Sequence, residues 1–246
     1  METETFLHRD LSSFGLSRSD VEALDERTVV VTRWNWDYSL GHRFQRFCVD
    51  LLETQPKLRV LICCSHPEVL TNGRGLQKPR KGEVMELKEF SVEDPNRLPF
   101  PFFQIERGGG LTFHHPGQFI FYPIVKLSPA RLSLSTMIDQ IFDFSIDVLE
   151  SWDLRGAHHE HRLLGLWHGD RKLASMGIAI ERLTTFHGMA INIRRNDEMR
   201  RALAELNPCG LSLGQYVSVE ELTNLPPEPL EDFRKKFLQR IRHEWK

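Results

Sequence analysis

Cysteine is scarce in this sequence, neither sign of charge is in excess, and no apolar run approaches the length that spans a bilayer. The four cysteines among 246 residues are Cys48, Cys63, Cys64 and Cys209. The chain starts Met1-Glu2-Thr3-Glu4-Thr5, which fits neither a secretory signal nor an Arg-rich transit peptide. A disulfide framework is therefore not expected, and the cytoplasm is the simplest location. A net charge of −2 excludes a strongly basic nucleic-acid binder as the default reading. Repeats and low-complexity tracts are missing, which removes solenoids and linker proteins. What remains is an ordinary soluble composition, 40% hydrophobic and 27% charged, with enough apolar residues for a sizeable core.

Periodicity predicts the elements. Phe44, Phe47, Leu51 and Leu52 mark an amphipathic helix from Tyr38 to Glu53, with Cys48 on its apolar side. Leu58 to Cys64 reads as a buried strand, where the adjacent Cys63 and Cys64 face opposite ways and cannot readily pair on a metal. Thr71 to Gly82 reads as a loop, Phe102 to Glu106 and Phe119 to Val125 as strands. Ser128-Pro129 is a plausible helix start ahead of the stripe Leu134, Ile138, Ile141, Phe142, Val148 and Leu149. Strands follow at Gly165 to His168, Ala174 to Glu181 and Gly188 to Ile193. Asn196 is a candidate helix cap, Ser218 and Glu221 have capping-box spacing, and a last helix from Pro229 carries Phe233, Phe237 and Ile241. Irregular alternation of strands and helices predicts an α/β (α+β) fold, a mixed β-sheet flanked by helices.

The densest chemical signal is the run Arg107-Gly108-Gly109-Gly110-Leu111-Thr112-Phe113-His114-His115-Pro116-Gly117-Gln118. Three consecutive glycines are entropically costly to order, and a chain accepts that where the backbone turns sharply or approaches a ligand. The run is expected at a strand–loop–strand junction, as a pocket wall. Cys209, between Pro208 and Gly210, reads as an exposed turn residue that is either incidental or a nucleophile. A nucleophilic thiol needs a base or cation nearby, and His114, His115, His187 and Lys172 are the candidates. His158, His159 and His161 with Glu160 lack ligand spacing and read as a solvated loop; no metal or cofactor is expected.

Four segments in order resemble the motifs of the octanoyl-[acyl-carrier-protein]:protein octanoyltransferases: the run Arg107 to Gln118, Lys172-x-x-Ser175-x-Gly177, Phe186-His187-Gly188-Met189-Ala190-Ile191-Asn192, and Pro208-Cys209-Gly210. The resemblance spans roughly Trp34 to Tyr216. It implies one biotin/lipoate protein ligase-like catalytic domain over residues 1–246, with residues 217–246 as a C-terminal helical appendage. It implies that Cys209 takes the octanoyl group as a thioester and that Lys172 lowers the thiol pKa and relays protons. It assigns the acyl pocket to Arg107, Gly108, Gly109, Gly110, Leu111, Thr112, Phe113, His114, Ser175, Met176, Gly177, Gly188, Met189 and Ala190. The implied donor is octanoyl-acyl-carrier protein. The implied acceptors are lipoyl domains of 2-oxoacid dehydrogenases or the glycine cleavage H protein, and neither nucleic acid nor membrane is expected as a partner.

Elementary chemistry is compatible with that reading. Thioester exchange is nearly isoenergetic, and amide formation from the acyl-enzyme is downhill. About six buried methylenes at ~0.8 kcal/mol each make a tunnel worth roughly 5 kcal/mol of gross affinity. Two residues depart from the family pattern: His115 stands where a glycine is usual and Phe113 where a tyrosine is, so pocket shape is expected to differ. Arg74, Lys78, Arg80 and Lys81 form a basic segment suited to an acidic carrier protein. Two other readings are an ATP-dependent lipoate or biotin ligase, which needs no nucleophilic cysteine, and a silent acyl-binding protein.

Overall fold

The computed structural model describes residues 2–75, 98, 100–128, 132–160, 164–198, 201 and 215–245. Its main sheet takes strands β1 (Val21–Ala23), β2 (Thr28–Arg33), β3 (Arg59–Cys64), β7 (Gln118–Ile124), β8 (Ala157–Glu160), β9 (Gly165–His168), β10 (Arg171–Glu181) and β11 (Thr184–Asn192). Their order across the sheet is β1-β2-β3-β7-β11-β10-β9-β8. Only β2 and β3 pair in parallel, joined by helix α2 (Tyr38–Thr54); the other rungs are antiparallel. A smaller sheet of β4 (Val69–Gly75), β5 (Phe102–Gln104) and β6 (Gly109–His114) is ordered β5-β4-β6.

Both faces of the main sheet are covered, which is why its inner strands read as continuous apolar runs. On one face, Val29, Val31, Ile62 and Cys64 meet Phe44, Cys48 and Leu52 of α2 and Phe6 of helix α1 (Glu2–Leu7). On the other, Val30, Leu61, Cys63, Phe119 and Phe121 meet helices α3 (Leu134–Glu150) and α4 (Pro229–Glu244). Phe233 and Phe237 bring their rings to 4.6 and 5.8 Å from Phe119, and Phe237 lies 4.8 Å from Phe121. Each such fully buried phenylalanine stabilises the fold by ~1.5–3 kcal/mol. Local caps fix the helix starts. The Asp37 side chain accepts from Leu40 N at 3.0 Å, and Ser218 and Glu221 form the expected capping box.

The mixed sheet between helices is the architecture expected, but four local readings change. Thr71 to Gly75 is strand, because it pairs with both β5 and β6; residues 76–82 lie outside the described residues. The described helix begins at Leu134 rather than at Ser128: Ser128 bridges Leu132, and Ser133 caps α3 by accepting from Thr136 N. The glycine run is itself strand from Gly109 to His114, with the turn only at His115–Gly117. His158 to Glu160 belong to edge strand β8, where His159 stacks on Phe142 at 5.6 Å, so the segment is not a solvated loop; His161 lies outside the described residues. The helix expected after Asn196 falls mostly outside them as well.

Candidate active site

Arg107 builds the wall of the site. Its Nη1 donates to the carbonyls of Gly108 and Gly110 at 3.1 and 2.9 Å, and its Nη2 to Thr71 O and Oγ1 at 3.0 and 2.8 Å. Arg107 is 7% exposed, and its guanidinium clamps β4 to the glycine run. Gly177 on β10 makes this approach feasible: a Cβ there would lie 2.8 Å from Gly108 O and 3.0 Å from Arg107 Cδ. The run is thus seated directly on the main sheet, with Gly108 N donating to Ile178 O at 3.3 Å.

A buried hydrogen-bond chain leads from the run to the strand ends. His114 Nδ1 meets Gln118 Oε1 at 3.1 Å, and Gln118 Nε2 donates to Phe113 O at 3.1 Å and Asn192 Oδ1 at 2.9 Å. Because Gln118 Oε1 can only accept, His114 carries its proton on Nδ1. Its Nε2 is then free to accept from Thr71 Oγ1 at 3.4 Å. Burial holds the His114 imidazole well below its ordinary protonation range, so it is neutral. Asn192 Nδ2 donates to Val217 O at 3.4 Å, and Val217 N donates to Lys172 O at 3.1 Å.

Leu111, Thr112, Phe113, Gln118, Ser175, Ala190, Asn192 and Tyr216 line a cleft. The structure therefore gathers Leu111, Thr112, Phe113, Ser175 and Ala190 from three of the singled-out motifs. Met176 and Met189 direct their side chains into the core on the opposite face, so only their backbone reaches this side. His115 does not line the cleft; its Nδ1 accepts from Gly117 N at 3.1 Å within the turn, and burial lowers its pKa to about 4. Gln118, Asn192 and Tyr216 were not among the expected pocket residues. Gln118 and Asn192 sit inside two of the motifs, whereas Tyr216 carries no local signal.

Lys172 is 9% exposed at the start of β10, its Nζ 5.5 Å from the centre of the Trp167 ring. A register shift between Lys172 and Ala174 places Leu173 and Ala174 on the same core face, which re-aims the lysine relative to a regular strand. Tyr216 forms an isolated parallel bridge with Lys172, so the chain rejoins the described structure beside the lysine, seven positions after Cys209. Cys209 and Pro208-Cys209-Gly210 lie outside the described residues, as do Lys78, Arg80 and Lys81; Arg74 is exposed on β4.

Residues 37–242 match the family described as the lipoyl protein ligase A/B catalytic domain. A Pyrobaculum aerophilum protein named "Probable octanoyltransferase" is 44% identical over 160 residues, 65% of this chain and 68% of its own. The octanoyltransferase of a Nostoc species is 35% identical over 187 residues, covering 73% and 78%. That of Bdellovibrio bacteriovorus is 29% identical over 223 residues, covering 84% and 93%. Among solved structures, lipoate-protein ligase A bound with ATP superimposes with a TM-score of 0.61 at 11% identity, covering 88% of this chain and 84% of its own. The bipartite lipoate protein ligase of Thermoplasma acidophilum gives 0.60 at 11% identity, covering 90% and 84%. At such identities the two structures establish the fold alone.

Proposed function

We propose, for a chain that belongs to the octanoyltransferases of the lipoyl protein ligase A/B catalytic domain family, that it moves an octanoyl group from octanoyl-acyl-carrier protein to a lysine of a lipoyl domain through a thioester on Cys209. The observation that carries the reading is the cleft itself. Thr112, Ser175 and Ala190, from three segments distant in sequence, meet there, and the hydrogen-bond chain from its wall ends on the Lys172 backbone. Acceptors of this chemistry are the lipoyl domains of 2-oxoacid dehydrogenases or the glycine cleavage H protein, and the reaction is assigned to the cytoplasm. No described helix is long and apolar enough to cross a membrane.

In the first step Lys172 Nζ, in its neutral form, takes the Cys209 thiol proton and the thiolate attacks the octanoyl carbonyl. The carrier-protein thiolate leaves and is protonated from the same ammonium. In the second step the acceptor lysine amine attacks the Cys209 thioester, Lys172 takes the amine proton and passes it to the departing Cys209 thiolate, restoring the thiol and the neutral amine. Backbone amides of the Gly188 region or the glycine run stabilise the oxyanion of each tetrahedral intermediate. Trp167 beneath Nζ restricts the lysine to one side of the strand.

Intact mass after incubation with octanoyl-acyl-carrier protein tests the scheme. One octanoyl adduct is expected on the wild type and none on Cys209→Ala, while Lys172→Ala forms it ~10²–10⁴-fold more slowly. No adduct on the wild type, or an undiminished one on Cys209→Ala, overturns the proposal. Product formed only from free octanoate and ATP replaces it with a ligase.

A further inference from the structure

We propose that His42, Glu106 and His187 form a binding site for one divalent transition-metal ion of the zinc class. The three come from α2, from the segment before β6 and from β11, and their ligand atoms all lie within 4.8 Å of one another. His42 Nε2 is 3.1 Å and His187 Nε2 3.7 Å from the same oxygen, Glu106 Oε2. Metal–ligand bonds of 2.0–2.2 Å in a tetrahedron separate neighbouring ligand atoms by about 3.4 Å, midway between these two values. Two imidazoles and a carboxylate make a three-ligand set that leaves a fourth position open.

His187 gives the independent argument. Its side chain is 2% exposed, and its Nε2 is buried without a hydrogen-bond partner, since 3.7 Å to Glu106 is beyond hydrogen-bond reach. Leaving a buried polar atom bare costs about 1–3 kcal/mol. The backbone is also unusual: φ is 58° in the middle of a strand, a left-handed conformation that non-glycine residues rarely hold. Met189 and Ile191 face the α3 layer, and strand alternation would send His187 there too. The left-handed turn instead brings its ring to 5.4 Å from the His42 ring. His187 N donates to Gln45 Oε1 of α2 at 2.7 Å, which holds the distorted backbone in place. The strained residue thus presents a bare nitrogen to a second imidazole and a carboxylate.

Protonation and charge suit the ligand set. Burial depresses His187 to about pKa 4, and a glutamate is ionised near neutral pH, so neither ligand need lose a proton to bind an ion. Arg107 is the opposing charge, close enough to lower the His187 pKa, while its four donated hydrogen bonds hold it on β4 and the glycine run. The Glu106 carboxylate offsets it. Ile178 faces His187 across the ladder and Ser175 faces Ala190, so the site lies three rungs, about 10 Å, from the cleft. A metal here would staple α2, the glycine run and β11 together without entering the cleft.

Cobalt(II) titration of the 246-residue chain, followed by visible absorption, tests the site, with zinc(II) as the competing ion. Wild type is expected to bind one Co²⁺ with intense four- or five-coordinate bands that Zn²⁺ erases, and Zn²⁺ raises the melting temperature. Glu106→Gln and His187→Ala lose more than about 100-fold in affinity. If His187→Ala fails to fold, His42→Asn, at a partly exposed position, reads the same loss. Only the weak spectrum of hexaaqua cobalt, equal affinity in Glu106→Gln and His42→Asn, or a thiolate charge-transfer band placing the ion on a cysteine overturns the proposal. None of these readouts depends on acyl transfer, so failure here leaves the reaction scheme untouched.

Discussion

The two halves of the β10–β11 ladder are built on opposite rules. At the Ser175–Ala190 rung small side chains open onto the cleft, and the buried Gln118 and Asn192 beside it have their hydrogen bonds made. At the Ile178–His187 rung the backbone is left-handed and His187 Nε2 has no partner. The first end holds a shape with satisfied groups, so its polar residues preorganise a pocket and leave little of their own chemistry to spend. The second keeps donor capacity in reserve, as a ligand site does. Both ends are locked by glycines on the face towards the glycine run and α2, so substitutions can separate shape from chemistry.

The largest effect is expected at Gly188, where the two ends meet. A Cβ there would sit 2.1 Å from Phe121 O, on the neighbouring strand of the Met189–Phe121 rung. Gly188→Ala must push β7 and β11 apart, and a loss of more than about 4 kcal/mol in urea unfolding is expected, out of a typical total of 5–15. Gly108→Ala is the control, because its Cβ would find only Ile178 O, at 3.9 Å. It is expected to lose under about 1 kcal/mol. Equal losses in the two variants would mean that the ladder is not held by close backbone approach.

A smaller effect separates satisfied from unsatisfied groups. Gln118→Leu strips His114, Phe113 O and Asn192 of a partner at once, and about 3 kcal/mol of stability is expected to go with them. His187→Asn removes a nitrogen that bonds nothing and places a residue tolerant of left-handed φ, so a change within about 1 kcal/mol is expected. If His187→Asn proves the more damaging of the two in thermal unfolding without added metal, the contrast between the rungs fails.

These features were unevenly visible in the amino-acid order. The α2 and α4 stripes and the Ser218–Glu221 box are local patterns, and local physics was enough to read them. The glycines of residues 108–110 were read as a loop because entropy argues against strand. What overrides it is tertiary, the packing of Arg107 and Gly108 against Gly177. Ser128-Pro129 lost to Ser133 because a serine can cap only where the next amides turn into helix, and Ser128 instead bridges Leu132. The cleft was legible through its motifs, since Thr112, Ser175 and Ala190 each lie in one. The grouping of His42, Glu106 and His187 was not, although His187 lies in a motif, because 64 and 81 positions separate the three and no spacing rule reaches that far.

The smallest expected effect concerns His115, which belongs to neither end. Its imidazole sits at about pKa 4 in the folded protein, against 6.5 when free. The unfolded chain therefore binds this proton first as the pH falls. The neutral ring's contribution to stability is complete above pH 6.5 and is lost between 6.5 and about 4. His66 and His187, also held near 4, add slopes of the same sign. His115→Asn keeps an acceptor for Gly117 N but does not titrate. It is expected to leave stability at pH 7.5 nearly unchanged and to flatten the slope of unfolding free energy between pH 6.5 and 4 by up to ~1.4 kcal/mol per pH unit. Because His115 does not line the cleft, acyl-transfer rates with octanoyl donors should stay near the wild-type value. An unaltered slope would show that the ring titrates in the folded turn as it does in the unfolded chain. A changed acyl-chain preference would place His115 in the pocket after all, and the division between a satisfied cleft and a reserve of unbonded imidazoles would have to be redrawn around it.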